Sequence, residues 1–369
     1  MISGMSQITA QKQRIEQALA AATQSGQQIV VCQLLLQLSL IHLSAGEMSQ
    51  VEQYSQRGLP LARQLRQSRL ELGFLTCLGN AAATHGDYQT AQNWFAAALV
   101  LAQQQNDEEL IGQLQLNLGA IAANQGAYHQ AVGYFSASLE LAQRHQQQQR
   151  ICLLWLHLGA IQVELGAFTE AETTFRAALA LAQQSDNLER MAQARLNLGL
   201  LAQEQEQYHE AETYFQETIA LAQVLRDREL LTASLIGLGA AAREQGQWSK
   251  ANTMLGEALA LARTVGHQWH IAGALLEWGE LYREQGIEDA AATALTEALS
   301  LAQMGDRQVQ VASALFGLAQ LAQVRNNQAE ALHQAEASLA IWQRLNHHRG
   351  RKVQAFIATY LSSESPSSS

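Results

Sequence analysis

Apolar side chains repeat along this chain on two scales. On the short scale they fall three and four residues apart, as in Ile111, Leu114, Leu118 and Ile121, which is the spacing of one helix face. On the long scale Ser39, Gly79, Gly119, Gly159, Gly199, Gly239, Gly279 and Ala319 stand 40 positions apart, with no insertion or deletion between them. A fixed period of this length means that one supersecondary unit is copied and stacked, each copy covering its neighbour's apolar face. Polar and small residues divide every unit into two helices. Seven residues after each small position comes Gly46, Gly86, Gly126, Gly166, Gly246, Gly286 or Asn326, types suited to the left-handed conformation that closes a helix. Glu206 takes that place in one unit and predicts strain or a differently closed turn there. An aromatic follows two residues on (Tyr88, Tyr128, Phe168, Tyr208, Trp248), then an alanine column from Ala91 to Ala331. Four residues after the alanines stand Phe95, Phe135, Phe175, Phe215, Leu255 and Leu295, on the same face of the second helix.

The order Leu-Gly, Gly-x-aromatic, Ala-x-x-x-Phe resembles the tetratricopeptide repeat over residues 30 to 346. The common unit is about 34 residues long. Here the additional residues fall between the closing Leu-x-Leu-Ala and the next Leu-Gly, as in Gln183 to Arg190, and lengthen both helices; the proline that ordinarily follows the second helix is missing. This longer variety is similar to the repeats of kinesin light chains, of Leu-Gly-Asn adaptor proteins and of some bacterial peptide-sensing regulators. HEAT repeats are comparable in length but lack these glycine and alanine columns. The resemblance implies an all-α, right-handed superhelical solenoid of about eight helix-turn-helix units, whose first helices line a concave groove.

The ends depart from the period in the manner of caps. Residues 1–29 read as an N-terminal half repeat, because Ala18 and Leu19 precede Ala98 and Leu99 by two periods. Residues 30–346 form the repeat array. Residues 347–361 read as a capping helix with Val353, Phe356, Ile357, Tyr360 and Leu361 on its apolar side, and residues 362–369 as a disordered tail. Pro60, behind Gly58 inside a second helix, removes a hydrogen bond and predicts a kink.

Composition narrows the function classes. With two prolines, 48% apolar residues and a wealth of Ala, Leu and Gln, the chain is suited to helix throughout. The formal charge is −10, and the one short basic cluster gathers Arg344, Arg349, Arg351 and Lys352. Phosphate backbones need more cations than this, so nucleic acid is not an expected partner. Cys32, Cys77 and Cys152 lack CxxC spacing and read as small buried residues. No signal-peptide pattern opens the chain, and the most apolar stretch, residues 29–43, is interrupted by Gln33, Gln37 and His42. These features predict a cytoplasmic protein without membrane insertion. Abundant Gln beside scarce Lys points to a bacterial source.

No nucleophile with a base, no phosphate loop and no metal set can be named, so the expectation is a non-enzymatic protein without cofactor or metal. His267 and His270 form an HxxH without a third ligand at metal spacing. Trp155, Trp248, Trp278 and Trp342 read as packing residues. The functional expectation rests on the first helices. With Gly119 counted as position 8, positions 2, 6, 9 and 13 share a face outside the apolar stripe. The candidate partner-binding residues on it are Asn80, Gln113, Asn117, Asn124, His157, Glu164, Gln193, Asn197, Glu204, Glu244, Glu277, Glu280 and Glu284.

Two rows stand out on that face. Glu164, Glu204, Glu244 and Glu284 place one carboxylate per unit, with Arg243 and Arg283 beside the last two. Helices packed at about 10 Å keep such charges a Debye length apart, so the row is tolerable without a ligand. Asn117, His157 and Asn197 form a second row, and side-chain amides pair with the backbone of an extended peptide whatever its sequence. Asn117 and Asn197 resemble the peptide-holding asparagines of the kinesin light chain and Leu-Gly-Asn groups; His157, Gly237 and Glu277 depart from that pattern. The expected function is a scaffold or adaptor that holds an extended or helical segment of a basic or polar partner protein in the concave groove. Two alternatives stand beside it: a peptide or small-ligand sensor that changes superhelix pitch, and a self-associating structural protein.

Overall fold

A left-handed residue recurs every twenty positions, and helices fill the intervals. The computed structural model describes residues 2–305 and 307–361, with backbone alone for residues 2–8 and 361. After α1 (Ile2–Gln24) come eight helix pairs: α2 (Gln28–Ser44) with α3 (Met48–Gln64), α4 (Ser68–Thr84) with α5 (Tyr88–Gln104), α6 (Glu108–Asn124) with α7 (Tyr128–Arg144), and α8 (Gln148–Glu164) with α9 (Phe168–Gln184). They continue as α10 (Leu188–Glu204) with α11 (Tyr208–Leu225), α12 (Arg228–Glu244) with α13 (Trp248–Val265), α14 (Gln268–Glu284) with α15 (Glu288–Met304), and α16 (Gln308–Val324) with α17 (Gln328–Arg344). A short α18 (Gly350–Phe356) runs on into a wider last turn, Ile357–Leu361. There is no strand among the described residues, and the fold is an all-α solenoid of helix pairs.

The turn inside each pair closes on the glycine column the sequence displays. Glu206 departs in type but not in shape, since its φ of 61° matches the φ of 70–79° at the glycines of that column. The strain at Glu206 is therefore the cost of a left-handed conformation in a residue with a Cβ, about 1–2 kcal/mol. The turns between pairs have the same geometry, built mostly without glycine: Arg66, Asn106, Gln146, Asp186, Arg226 and Asn346 all have φ near 50°. Asp107, Asn187 and Asp227 cap the helices after turns between pairs, and Asp87 and Asn327 those after turns inside pairs, each accepting a backbone N–H three residues on.

Within a pair, the glycine of the first helix receives the ring of the second. A Cβ added at Gly79, Gly119 or Gly159 would lie 2.5 Å from a ring carbon of Phe95, Phe135 or Phe175. Gly239 and Gly279 receive Leu255 and Leu295 in the same way. The first pair replaces this contact with a buried hydrogen bond from Ser55 to Ser39, at 3.0 Å between the hydroxyl oxygens. The last pair uses alanine at both positions, Ala319 and Ala335, both fully buried. Helix α3 runs unbroken through Pro60, and Gly58 beside it makes room for the Phe74 ring.

Contacts divide the chain into two compact units, residues 1–146 and 147–369, so the stretch read as one array is shared between them. In the first unit, α1 packs on α2 through Leu19 and Ala22, and its polar side is tied down by Lys12 to Glu47 (2.6 Å) and by the Tyr54 hydroxyl donating to Glu16 (3.0 Å). In the second unit, the first helices pack directly on one another, α8 on α10, α10 on α12, α12 on α14 and α14 on α16. The second helices pack principally against the first helices on either side, which makes the first helices the inner side of this unit. Val353 and Phe356 of α18 are buried against the last pair, with Phe356 edge-on to Phe316 at 5.4 Å. The tail expected at residues 362–369 lies outside the described residues.

The glycine–ring contact predicts a specific non-additivity. Gly159→Ala should destabilise the second unit by about 1–3 kcal/mol, because the new methyl overlaps a buried ring. Phe175→Ala should cost about 3–5 kcal/mol through the cavity it leaves. In the Phe175→Ala background, adding Gly159→Ala should cost almost nothing, since the ring it would strike is gone. Urea unfolding of the four proteins checks this, and additive losses would contradict it.

Candidate functional site

The structure keeps the polar rows on the first helices and sorts them by unit. Asn80 on α4 and Gln113, Asn117 and Asn124 on α6 belong to the first unit. Asn80 and Asn117 are half-buried, whereas Gln113 and Asn124 are exposed. The second unit carries His157 and Glu164 on α8, Gln193, Asn197 and Glu204 on α10, Glu244 on α12, and Glu277, Glu280 and Glu284 on α14. Neither Asn117 nor Asn197 has a side-chain hydrogen bond to another described residue, so their amides are available to a backbone laid across them. Gln193 is engaged instead: it accepts from Arg190 at 2.6 Å and donates to Glu189 at 3.4 Å. Burial, helped by the nearby Arg190 charge, lowers the His157 imidazole to about 4, so it is neutral at physiological pH.

The carboxylate row is not an open row of anions. Arg243, 7% exposed, reaches from α12 into α14 and binds three carboxylates at once. Its Nη2 lies 2.8 Å from Glu244 and 3.3 Å from Glu277, and its Nη1 donates to Glu284. Arg283 holds Glu280 at 2.6 Å. Burial pushes the Glu277 and Glu284 carboxyls above their ordinary range, against the pull of Arg243. Burial alone would lower the Arg243 guanidinium, but Glu277, Glu244 and Glu284 together hold it above its usual value.

The first two rungs lack such an arginine. The residue preceding each acid is Val163 or Gln203 where the later units have Arg243 and Arg283. Partners for both come instead from the turn after α17, far along the chain. His347 Nε2 lies 2.6 Å from Glu164, His348 Nε2 lies 3.4 Å from Glu204, and the Arg349 guanidinium donates to Glu204. The His348 amide also donates to the carbonyl of Glu164 at 3.4 Å, and its ring meets Phe168 edge-on at 5.3 Å. Burial would raise the Glu204 carboxyl, but Arg349, with His348 and His347, holds it below its ordinary value of 4.5. Burial would lower the Arg349 guanidinium, but Glu204, with the charges of Glu164 and Glu277, holds it above its usual value. Sequence reading noted Arg349 in a basic cluster but not its destination, because contact across 145 positions carries no periodic signal.

The remaining candidates resolve into packing. His267 and His270 stack at 5.9 Å with His267 paired to Glu229, and among the described residues no group of three or more His, Cys, Asp or Glu is arranged to hold a metal ion. Trp342 is fully buried and the Trp278 indole donates to Asn252 at 2.9 Å, but Trp248 stays 40% exposed, so it is not a core residue. All three cysteines are buried and free, and burial pushes the Cys77 thiol up to about 11. No described helix is long and apolar enough to cross a membrane.

Comparison with known proteins agrees with this architecture. The family described as the MalT-like TPR region matches residues 158–355, more than half of the chain, and anaphase-promoting complex subunit 5 matches residues 119–194. No curated protein matches by sequence. Among solved structures, the chain is similar to a Rap protein complexed with Competence and Sporulation Factor, with 16% identity over 92% of this chain and 98% of that one and a TM-score of 0.69. It is similar to the Rap conjugation gene regulator of the plasmid pLS20 in complex with a Phr peptide, at 12% identity over 97% and 98% and a TM-score of 0.68. It also resembles aspartyl phosphate phosphatase F from Bacillus subtilis, at 14% identity over 85% and 79% and a TM-score of 0.62. At these identities the likeness is one of fold.

Two predictions follow from the ion pairs. Arg243→Gln should destabilise the second unit by about 2 kcal/mol, less than a fully buried pair would lose because its partners are a quarter to a third exposed; urea titration measures the loss. The lowered Glu204 carboxyl stabilises the fold above its ordinary value and ceases to do so as pH falls through its native value. Glu204→Gln should therefore be the less stable protein at pH 7, with the gap closing below about pH 4.5. A constant gap down to pH 3 would show that the charge on Glu204 is not what the fold uses.

Proposed function

The chain belongs to the MalT-like TPR family, and on that premise we propose that it is a non-enzymatic interaction module that binds a basic or polar segment of a partner protein along its first helices. The observation that carries this reading is the inner side of the second unit, where acids from consecutive first helices accept arginine and histidine side chains at hydrogen-bond distance. Such a surface selects cationic side chains and steers their approach. On the same unit the Asn197 amide, which makes no side-chain hydrogen bond to another described residue, complements it by holding peptide backbone without regard to sequence. Two of the similar structures contain a bound factor or peptide, which supports a peptide-sized ligand. Their presence among regulators also favours a second reading, a sensor whose helices rearrange when a peptide enters. The phosphatase named among the neighbours is 14% identical, a likeness of fold that lends this chain no activity.

Fluorescence anisotropy with labelled basic, neutral and acidic peptides tests the reading. Basic peptides should bind, with an affinity that falls as salt rises. The change Asn197→Ala should weaken binding about fivefold, the worth of one hydrogen bond of about 1 kcal/mol. Equal affinity for basic and acidic peptides would overturn it. A large ligand-induced fall in the radius of gyration would favour the sensor.

A further inference from the structure

The turn Asn346–Arg349 is an unusual way to end a helical array. It leaves α17 through a left-handed residue, Asn346, and enters α18 at Gly350. Between them it contributes three consecutive side chains to acids on α8 and α10, at the opposite end of the second unit in sequence. The histidine that leads is well fixed: His347 is buried beside Trp342, with ring centroids 4.4 Å apart. Its Nδ1 accepts the Arg349 amide at 3.1 Å, which leaves the ring proton on Nε2 to donate to Glu164. Arg349 is different in character, with a side chain 44% exposed. The far end of the turn is thus held by a charge-assisted contact between a partly exposed guanidinium and a carboxylate that is 18% exposed, and a competing cation can replace it from the exposed side.

The rungs covered by this turn are also singular. Glu244 and Glu284 are served by Arg243, and Glu280 by Arg283, from within the first helices. Glu164 and Glu204 have Val163 and Gln203 beside them, and the turn brings His347 to the first and His348 and Arg349 to the second. We propose that His347–Arg349 is a built-in clasp, a segment of the chain that occupies Glu164 and Glu204 as a self-ligand, and that a partner segment bearing adjacent cationic side chains binds there by displacing it. The inference deepens the proposed function by naming the docking point and its competitor. It rests on that reading for the partner, while the clasp itself is a property of the chain alone.

A tethered segment competes at an effective concentration of about millimolar, so opening the clasp should raise the affinity of an added copy. The probe is a labelled synthetic peptide with the sequence of Arg344–Lys352. It should bind the full chain carrying His347→Ala, His348→Ala and Arg349→Ala at least tenfold more tightly than the wild type. Adding Glu164→Gln and Glu204→Gln to that protein should abolish the gain. Independently, hydrogen exchange of residues 346–353 should speed at least tenfold in Glu164→Gln, Glu204→Gln, with the middles of α10 to α16 unchanged. A charge swap, Glu204→Arg with Arg349→Glu, should restore protection and covers the case in which the alanine protein does not fold. Unchanged exchange in the acid variant, or equal peptide affinity with the clasp present and removed, would overturn the clasp. Failure of the basic-peptide panel alone, with exchange behaving as described, would overturn the partner-binding reading and leave the clasp standing.

Discussion

The rest of the structure depends on how closely the two helices of each pair approach. At Gly79, Gly119 and Gly159 a phenylalanine ring occupies the space a Cβ would fill, so backbone and ring are in direct contact. Interiors pack near crystalline density, and such a contact admits little variation in distance or angle. Repeated at one interval, it makes successive pairs alike, and alike pairs stack in a regular progression. Where the ring is absent the position still stays small, as serine facing serine or alanine facing alanine. The polar rows are brought into line as a consequence, because regular stacking sets equivalent residues of adjacent first helices side by side.

That alignment has an electrostatic cost which the chain meets with its own cations. Acids brought together on an inner surface lose solvent, and burial raises the Glu277 and Glu284 carboxyls accordingly. A single arginine shared among three carboxylates offsets this where the period supplies one. Where the period supplies none, the array uses the turn after its last pair. The acids on the inner side of the second unit are therefore largely engaged by the chain's own side chains, and the choice between intramolecular and partner cations is one of exchange.

Much of this was legible in the residues, and the failures have definite causes. The pairs of helices, the closing glycines and the ring column announce themselves because each is forced by local geometry that few residue types satisfy. The turns between pairs gave no such signal, since a left-handed Arg66, Asp186 or Arg226 costs about 1–2 kcal/mol, which surrounding packing absorbs. Among the candidate residues, Asn117 and Asn197 make no side-chain hydrogen bond to another described residue, while Gln193 is tied up by Arg190, a neighbour one helical turn away whose rotamer no pattern specifies. The carboxylate row was readable as a row, but its state of charge was not, because that depends on burial and on partners.

The sequence by itself determined the repeating element, its period, the helix ends and the polar face of the first helices, all consequences of spacing within a single unit. The tertiary structure decided what meets that face. The reach of Arg243 from one first helix to the next, the engagement of Glu164 and Glu204 by His347, His348 and Arg349, and the partition of the chain into two compact units depend on contacts between residues far apart in sequence. Contacts of that kind are fixed by packing and leave no periodic mark in the order of residues.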